Sequence, residues 1–187
     1  MNVAEEAGTR PAPGELVLVQ AFINTVDLEG GEEQLIDPPA LGRWLRDHGL
    51  MDDAVPLGED DLRLAVQVRE ALRSLARANH DDRTDPRAAA LLDRVASGAR
   101  LRVRFDGGGA RLEPDRPGID GALGRLLGIV YASMVEGTWG RLKACRRETC
   151  RWAFYDGSRN HSSSWCDMAV CGNKEKAKAY RRRKAGA

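Results

Sequence analysis

From residue 16 onward the apolar positions of this chain recur mostly three and four apart, the spacing of helices buried along one face. Leu16 to Val26 is an apolar run too short to separate helix from strand. Pro38 and Pro39 precede ALGRWLRDHGL, in which Leu41, Trp44 and Leu45 share a helical face and Gly49 marks a stop. Asp60 or Asp61 is expected to cap a longer helix reaching Asn79, with Leu62, Ala65, Val68, Leu72 and Leu75 turned inward. Asp85-Pro86 opens another, with Leu91, Leu92 and Val95 packed and Gly98 at its end. The period then shortens to two: LRVRF, DGGG and ARLEP read as a β-hairpin. From Ile119 the helical period returns in Leu123, Leu126, Leu127, Val130, Met134 and Val135, and Gly137 and Gly140 end it. The pattern predicts a mainly α protein: a flexible tail at 1–13, a helical domain with one hairpin at 14–140, and a different kind of unit at 141–187.

Charge separates that last unit from the rest. Residues 141–187 hold 13 Lys or Arg and 4 Asp or Glu, a net +9, so the remainder of a chain with 29 basic and 28 acidic residues carries −8. Such asymmetry points to two parts with different partners. The opening residues are acidic and lack the basic, apolar pattern of a secretory leader, and no apolar stretch is expected to span a bilayer. A cytoplasmic location and no membrane partner are therefore expected, and cytosolic thiols stay reduced.

All four cysteines lie in the basic part: Cys145-x4-Cys150, a 15-residue gap, then Cys166-x4-Cys171. Two close pairs with a spacer suit a tetrahedral Zn2+ site, each pair forming a turn that offers two sulfurs. A redox pair lacks its C-x-x-C, an iron–sulfur cluster lacks a common ferredoxin spacing, and His161 reads as a loop residue beside a full set of thiols. Trp152, Phe154 and Tyr155 suggest a short strand and Asp156-Gly157 a turn, while GNKEKAKAYRRRK after Cys171 favours a helix. Knuckle, hairpin and helix make a treble-clef-like order. In so small a unit a structural metal supplies much of the folding free energy, about 10–16 kcal/mol in peptide systems.

Cys171-Gly172-Asn173-Lys174, with Cys145, Cys150, Trp152, Trp165 and Cys166, resembles the CGNR zinc-finger family, Lys174 standing where that signature usually has Arg. Upstream, Phe22-Ile23-Asn24-Thr25, the Pro-x-x-Leu-x-x-Trp-Leu around Trp44 and the stripe after Gly121 are similar to the ABATE domain that precedes such fingers. The resemblance covers nearly the whole chain. It implies a regulator of transcription in the stress response, with a helical sensing module in front of the finger. Lys174 keeps the charge of Arg but loses its planar fork.

The expected nucleic-acid contacts are Arg146, Arg147, Arg151 and Arg159 in or near the knuckle, and Lys174, Lys178, Arg181, Arg182, Arg183 and Lys184 on the terminal helix. A tetrathiolate zinc carries −2 and needs about two nearby cations, so most of the +9 is left for an anionic partner. DNA is the favoured partner; RNA, an acidic protein, or the chain's own acidic half compete. The runner-up is a zinc-stabilised protein-interaction module without nucleic-acid binding. A homodimer through the N-terminal domain is a further expectation. Asn24, Thr25 and Trp44 form a candidate small-molecule pocket, against the plainer reading that Asn24 ties a loop and Trp44 fills the core. No catalytic motif is legible. His48, His80 and His161 are scattered, the glycines at 107–109 read as a hairpin turn rather than a phosphate loop, and four thiolates would leave zinc no open position. An enzyme is not expected.

Overall fold

The computed structural model describes residues 10–52, 55–80, 83–107 and 109–185. Six helices carry the described fold: α1 (Leu16–Ile23), α2 (Pro38–Asp47), α3 (Glu59–Ala78), α4 (Pro86–Ala99), α5 (Gly118–Val135) and α6 (Asn173–Ala185). Three antiparallel pairs accompany them: β1 (Val26–Asp27) with β2 (Glu32–Glu33), β3 (Arg102–Asp106) with β4 (Gly109–Glu113), and β5 (Leu142–Ala144) with β6 (Ala153–Tyr155). The mainly helical architecture with one longer hairpin, followed by a small cysteine-bearing unit, is the expected one.

The ambiguous run after Leu16 is helical. Val19, Phe22 and Ile23 of α1 are fully buried, and Trp44 of α2 packs on Phe22 with ring centroids 5.4 Å apart. Asp37 caps α2 by accepting from the Ala40 amide at 2.6 Å, and Asp85 caps α4 by accepting from Arg87 N at 2.9 Å. At α3 the cap differs from expectation. Gly58 is the N-cap residue, and Asp61 sits three places on with its Oδ2 accepting from Gly58 N at 2.7 Å. Glycine has no side chain to cap with, so the acid inside the first turn supplies the return bond. Likewise α4 runs past Gly98 to Ala99 and ends at Arg100 in the left-handed region, φ 51°.

α5 is the central helix, with α1, α3 and α4 against it and the β3–β4 hairpin across its glycine face. A Cβ on Gly124 would stand 2.4 Å from Ala99 Cβ, and one on Gly128 2.9 Å from Leu112 O, so these glycines set how closely α4 and the hairpin approach. By length and hydropathy α5 alone among the described helices could cross a membrane, a property the sequence pattern did not lead us to expect; 56% of it is buried inside this fold. Its stripe ends early: Met134 and Val135 are exposed.

The unit after 140 does not stand apart. Trp139, Leu142, Ala144 and Ala153 belong to the same apolar core as Phe22 and Leu72. A polar seam fixes the register. Asn24, at the C-terminus of α1, donates from Nδ2 to Ala153 O at 2.9 Å and accepts from Ala153 N at 2.7 Å, so the side-chain amide pairs with β6 as a neighbouring strand would. Asn79, at the end of α3, donates to Trp139 O and Leu142 O at 2.9 and 2.8 Å. His80 Nε2 hydrogen-bonds Ala144 O at 2.7 Å. Of the tail expected at 1–13, residues 1–9 lie outside the described residues. Ala12, by contrast, is buried, its amide donating to Gln20 Oε1 at 2.7 Å.

Two buried arginines hold the β1–β2 turn to α3. Arg69 donates to both carboxylate oxygens of Glu33 at 2.7 and 2.8 Å and to Thr25 Oγ1 at 3.0 Å. Arg73 donates to Glu70 at 2.8 Å and to the Ile23 carbonyl. Such paired, hydrogen-bonded cations fix geometry more than they add stability.

Asn24→Ala is expected to lower the unfolding free energy by about 1–3 kcal/mol, because it strips direct partners from a buried peptide group. Urea unfolding of the full chain measures it; a loss under about 0.5 kcal/mol, the size of an ordinary surface change, would mean that the seam is solvated.

Candidate metal centre and its basic surround

β5 and β6 pair with Leu142 opposite Tyr155 and Ala144 opposite Ala153, which puts the first cysteine pair in the turn of that hairpin. The knuckle is thus the tip of the hairpin and does not precede it. Cys145 N donates to Trp152 O at 2.9 Å, and the amides of Cys150 and Arg151 both donate to Arg147 O at 2.9 and 3.1 Å. Arg151 takes a left-handed φ of 50° to complete the turn. Of the second pair, Cys171 sits on a single wide turn, Met168–Gly172, with Cys166 just ahead of it; the turn is capped by Asp167 Oδ1, which accepts from Val170 N at 3.0 Å. Gly172 is buried there, and a Cβ on it would lie 2.3 Å from Met168 Sδ. The turn runs directly into α6.

The four sulfurs of Cys145, Cys150, Cys166 and Cys171 lie within 4.8 Å of one another. Cys150 and Cys166 are 3.6 Å apart, and Cys166 and Cys171 3.7 Å. A disulfide needs about 2.05 Å. A zinc–sulfur bond of about 2.3 Å gives a tetrahedral edge of about 3.8 Å, which the observed spacings match. The donor set and its dimensions therefore fit one structural zinc ion with a closed coordination sphere. Thiol hydrogen bonds from Cys150 and Cys166 favour ionisation of Cys145, while the same contact with Cys145 pushes the Cys150 thiol up. Arg147 Nη1 adds a contact to Cys171 Sγ at 4.0 Å, offsetting thiolate charge from outside.

The spacer between the pairs is organised by Asp156, a role not legible beyond the turn signal at Asp156-Gly157. Asp156 is 1% exposed. It accepts from Lys143 Nζ at 2.8 Å, from Ser158 N and Oγ at 3.0 and 2.6 Å, and from Ser163 N at 2.9 Å. Burial by itself would raise this carboxyl; the Lys143 and Ser158 bonds outweigh it and hold the group well below the usual carboxylate range.

The basic residues divide into two groups. Arg147 and Lys174 both bind one acid of the other half of the chain: Glu29 Oε2 accepts from Arg147, and Glu29 Oε1 accepts from Lys174 at 2.7 Å. Arg151 pairs with Glu148 at 2.5 Å, and Arg77 of α3 reaches the same carboxylate. Hydrogen bonds from Arg77 and then Arg151 bring Glu148 down to about 2. Arg146 donates to His80 O at 3.4 Å. Acids and carbonyls of the chain thus already engage Arg146, Arg147, Arg151 and Lys174. Arg159, Lys178, Arg181, Arg182, Arg183 and Lys184 are exposed, with no acidic partner among the described residues. α6 buries no residue at all.

Asn24, Thr25 and Trp44 make structural contacts. Asn24 binds Ala153, and Thr25 Oγ1 lies between Phe22 O at 2.9 Å and Arg69. Trp44 stacks on His48 with centroids 3.9 Å apart. A cavity of about 1200 Å³ lies elsewhere, along α5 beneath the β3–β4 hairpin, lined in part by Leu50, Val103, Leu112, Arg125, Ile129 and Tyr131. The residues missed by sequence reading are Glu29, Asn79, His80, Glu148 and the Lys143–Asp156 pair. Apart from Arg151 beside Glu148 and the serines beside Asp156, their partners lie 13 to 145 positions away, beyond any local pattern.

A helical domain joined through a shared core to a four-thiolate knuckle-and-helix unit defines a zinc-finger protein. Two family models match the chain. Residues 16–137 match ABATE, described as "Putative stress-induced transcription regulator", and residues 141–184 match the CGNR zinc finger. The chain belongs to the ABATE family and carries a CGNR zinc finger that holds structural zinc. Among curated proteins nothing matches it.

Purified reduced protein is expected to carry one zinc per chain by elemental analysis, and Cys171→Ser to lose most of it. Because the ligands bind as thiolates, zinc should leave as pH falls. Asp156→Asn should lower the thermal midpoint at neutral pH. The folded pKa of Asp156 is depressed, so its contribution is present above the unfolded value of about 3.9 and lost as pH falls through the folded one. The variant should accordingly show a weaker loss of stability on acidification.

Proposed function

We propose that this protein is a DNA-binding regulator of transcription whose zinc finger presents α6 to the duplex. One observation carries this: α6 buries nothing, yet it bears Lys178, Arg181, Arg182, Arg183 and Lys184 on exposed backbone anchored at a zinc ligand. A helix that is polar all round either frays or serves a partner outside the fold. Rows of exposed Lys and Arg suit phosphate contacts, which position a protein on DNA, while base contacts specify sequence. The N-terminal domain, on this proposal, senses a small molecule or makes a homodimer. The cavity beneath the hairpin and the exposed Phe105, Tyr131 and Val135 near it support that role. The chain binds rather than catalyses: the closed thiolate set leaves zinc no site for a reacting water.

The alternative, a protein-interaction module without nucleic-acid contact, draws support from the pairing of Arg147, Lys174 and Arg151 with acids of the same chain. The solvent-exposed charge of α6 still favours DNA.

Zinc-loaded full-length protein is expected to bind mixed-sequence duplex DNA with about 4–6 phosphate contacts, hence a log–log salt slope of about −4 to −5 at about −0.9 per contact. Arg182→Ala with Arg183→Ala should weaken binding and make the slope shallower by about 1–2. Fluorescence anisotropy at several salt concentrations measures both, and a slope near zero in the wild type would overturn the proposal.

A further inference from the structure

Between the knuckle and α6 runs an open groove of about 360 Å³, lined by Arg146, Arg147, Lys174, Lys178 and Arg181, with Glu148, Thr149 and Glu175 beside them. Of its two acids, Glu148 is held by Arg77 and Arg151. Lys174, Lys178 and Arg181 stand at i, i+4 and i+7 on one helix stripe, which spans about 10 Å. A row of cations that long follows a chain of charges better than it does a single carboxylate.

One anion already sits on this row. Glu29 places one carboxylate oxygen on Arg147 and the other on Lys174, as a phosphate bridging the same two side chains would. The turn that presents it is built for position. Asp27 Oδ1 accepts from Glu29 N and Gly30 N at 2.9 and 3.0 Å. Gly31 takes φ 79°, and Gln34 N donates to Thr25 O at 2.8 Å. Beneath the turn, Arg69 grips Glu33. Glu29 itself is 37% exposed in its side chain, and exposed ion pairs are weak and salt-screened. The contact is therefore ordered yet easily exchanged for a polyanion.

Resting on the DNA-binding reading above, we propose that this groove seats the phosphodiester backbone of duplex DNA and that Glu29 is its built-in competitor, which a phosphate displaces on binding. The acidic N-terminal domain thereby weakens the affinity of the finger it carries. Anything that withdraws the β1–β2 turn from the knuckle raises that affinity.

The test uses zinc-loaded full-length protein, mixed-sequence duplex and matched single-stranded RNA, read by anisotropy at fixed low salt. Glu29→Gln is compared with the wild type and with Glu32→Gln, which removes the same charge from the same loop at an exposed position away from the groove. Zinc content and thermal midpoint of each protein establish that folding is unchanged. Glu29→Gln is expected to bind duplex about 3- to 10-fold more tightly than wild type, and Glu32→Gln less than twofold more tightly. Equal affinity of Glu29→Gln and wild type for duplex overturns the latch and leaves the DNA-binding reading standing. An equal gain in both variants also overturns it, by reducing the effect to net charge. Failure of all three proteins to bind duplex, or binding of RNA alone, overturns the DNA-binding reading and this proposal with it.

Discussion

Four cysteine sulfurs within 4.8 Å of one another cannot all ionise unless a cation joins them, since adjacent thiolates repel and each raises the others' proton affinity. Zinc removes that conflict and, in doing so, connects two turns that the sequence separates by 15 residues. One turn is the tip of β5–β6; the other starts α6. The whole C-terminal unit therefore depends on the metal–sulfur cage, because its own apolar content is small.

The cage does not stand alone, however. β5 and β6 enter the core of the helical domain, and Asn24, Asn79 and His80 satisfy the backbone groups that a two-stranded sheet leaves open. Finger and helical domain share one apolar core. The two salt-bridge centres at the surface, Glu29 and Glu148, add electrostatic contacts between them. The acidic and basic halves thus meet in part within the chain, while Lys178, Arg181, Arg182, Arg183 and Lys184 of α6 have no acidic partner among the described residues.

Much of this architecture was legible because it depends on local periodicity. The stripe of α3 through Ala65, Val68 and Leu72, the LRVRF–ARLEP hairpin and the Asp-Pro start of α4 follow from side-chain spacing and backbone chemistry that act over a few residues. Misses fell where a distant partner overrode local preference. Arg69 and Arg73 lie on the buried side of α3 because Glu33, Glu70 and the Ile23 carbonyl of α1 receive them. Asn24 reads in sequence only as a loop tie or a pocket residue because its partner, Ala153, is 129 positions away.

The zinc ligand set, the helical class of the body and the surplus of positive charge beyond Cys171 are determined by the sequence itself. Thiol spacing, apolar period and composition are properties of the chain before it folds. Only the tertiary structure decided which cations are already neutralised and which face outward, and that the finger is welded to the helical domain. Ion pairing and burial depend on distances through space, and those are set when the helices pack.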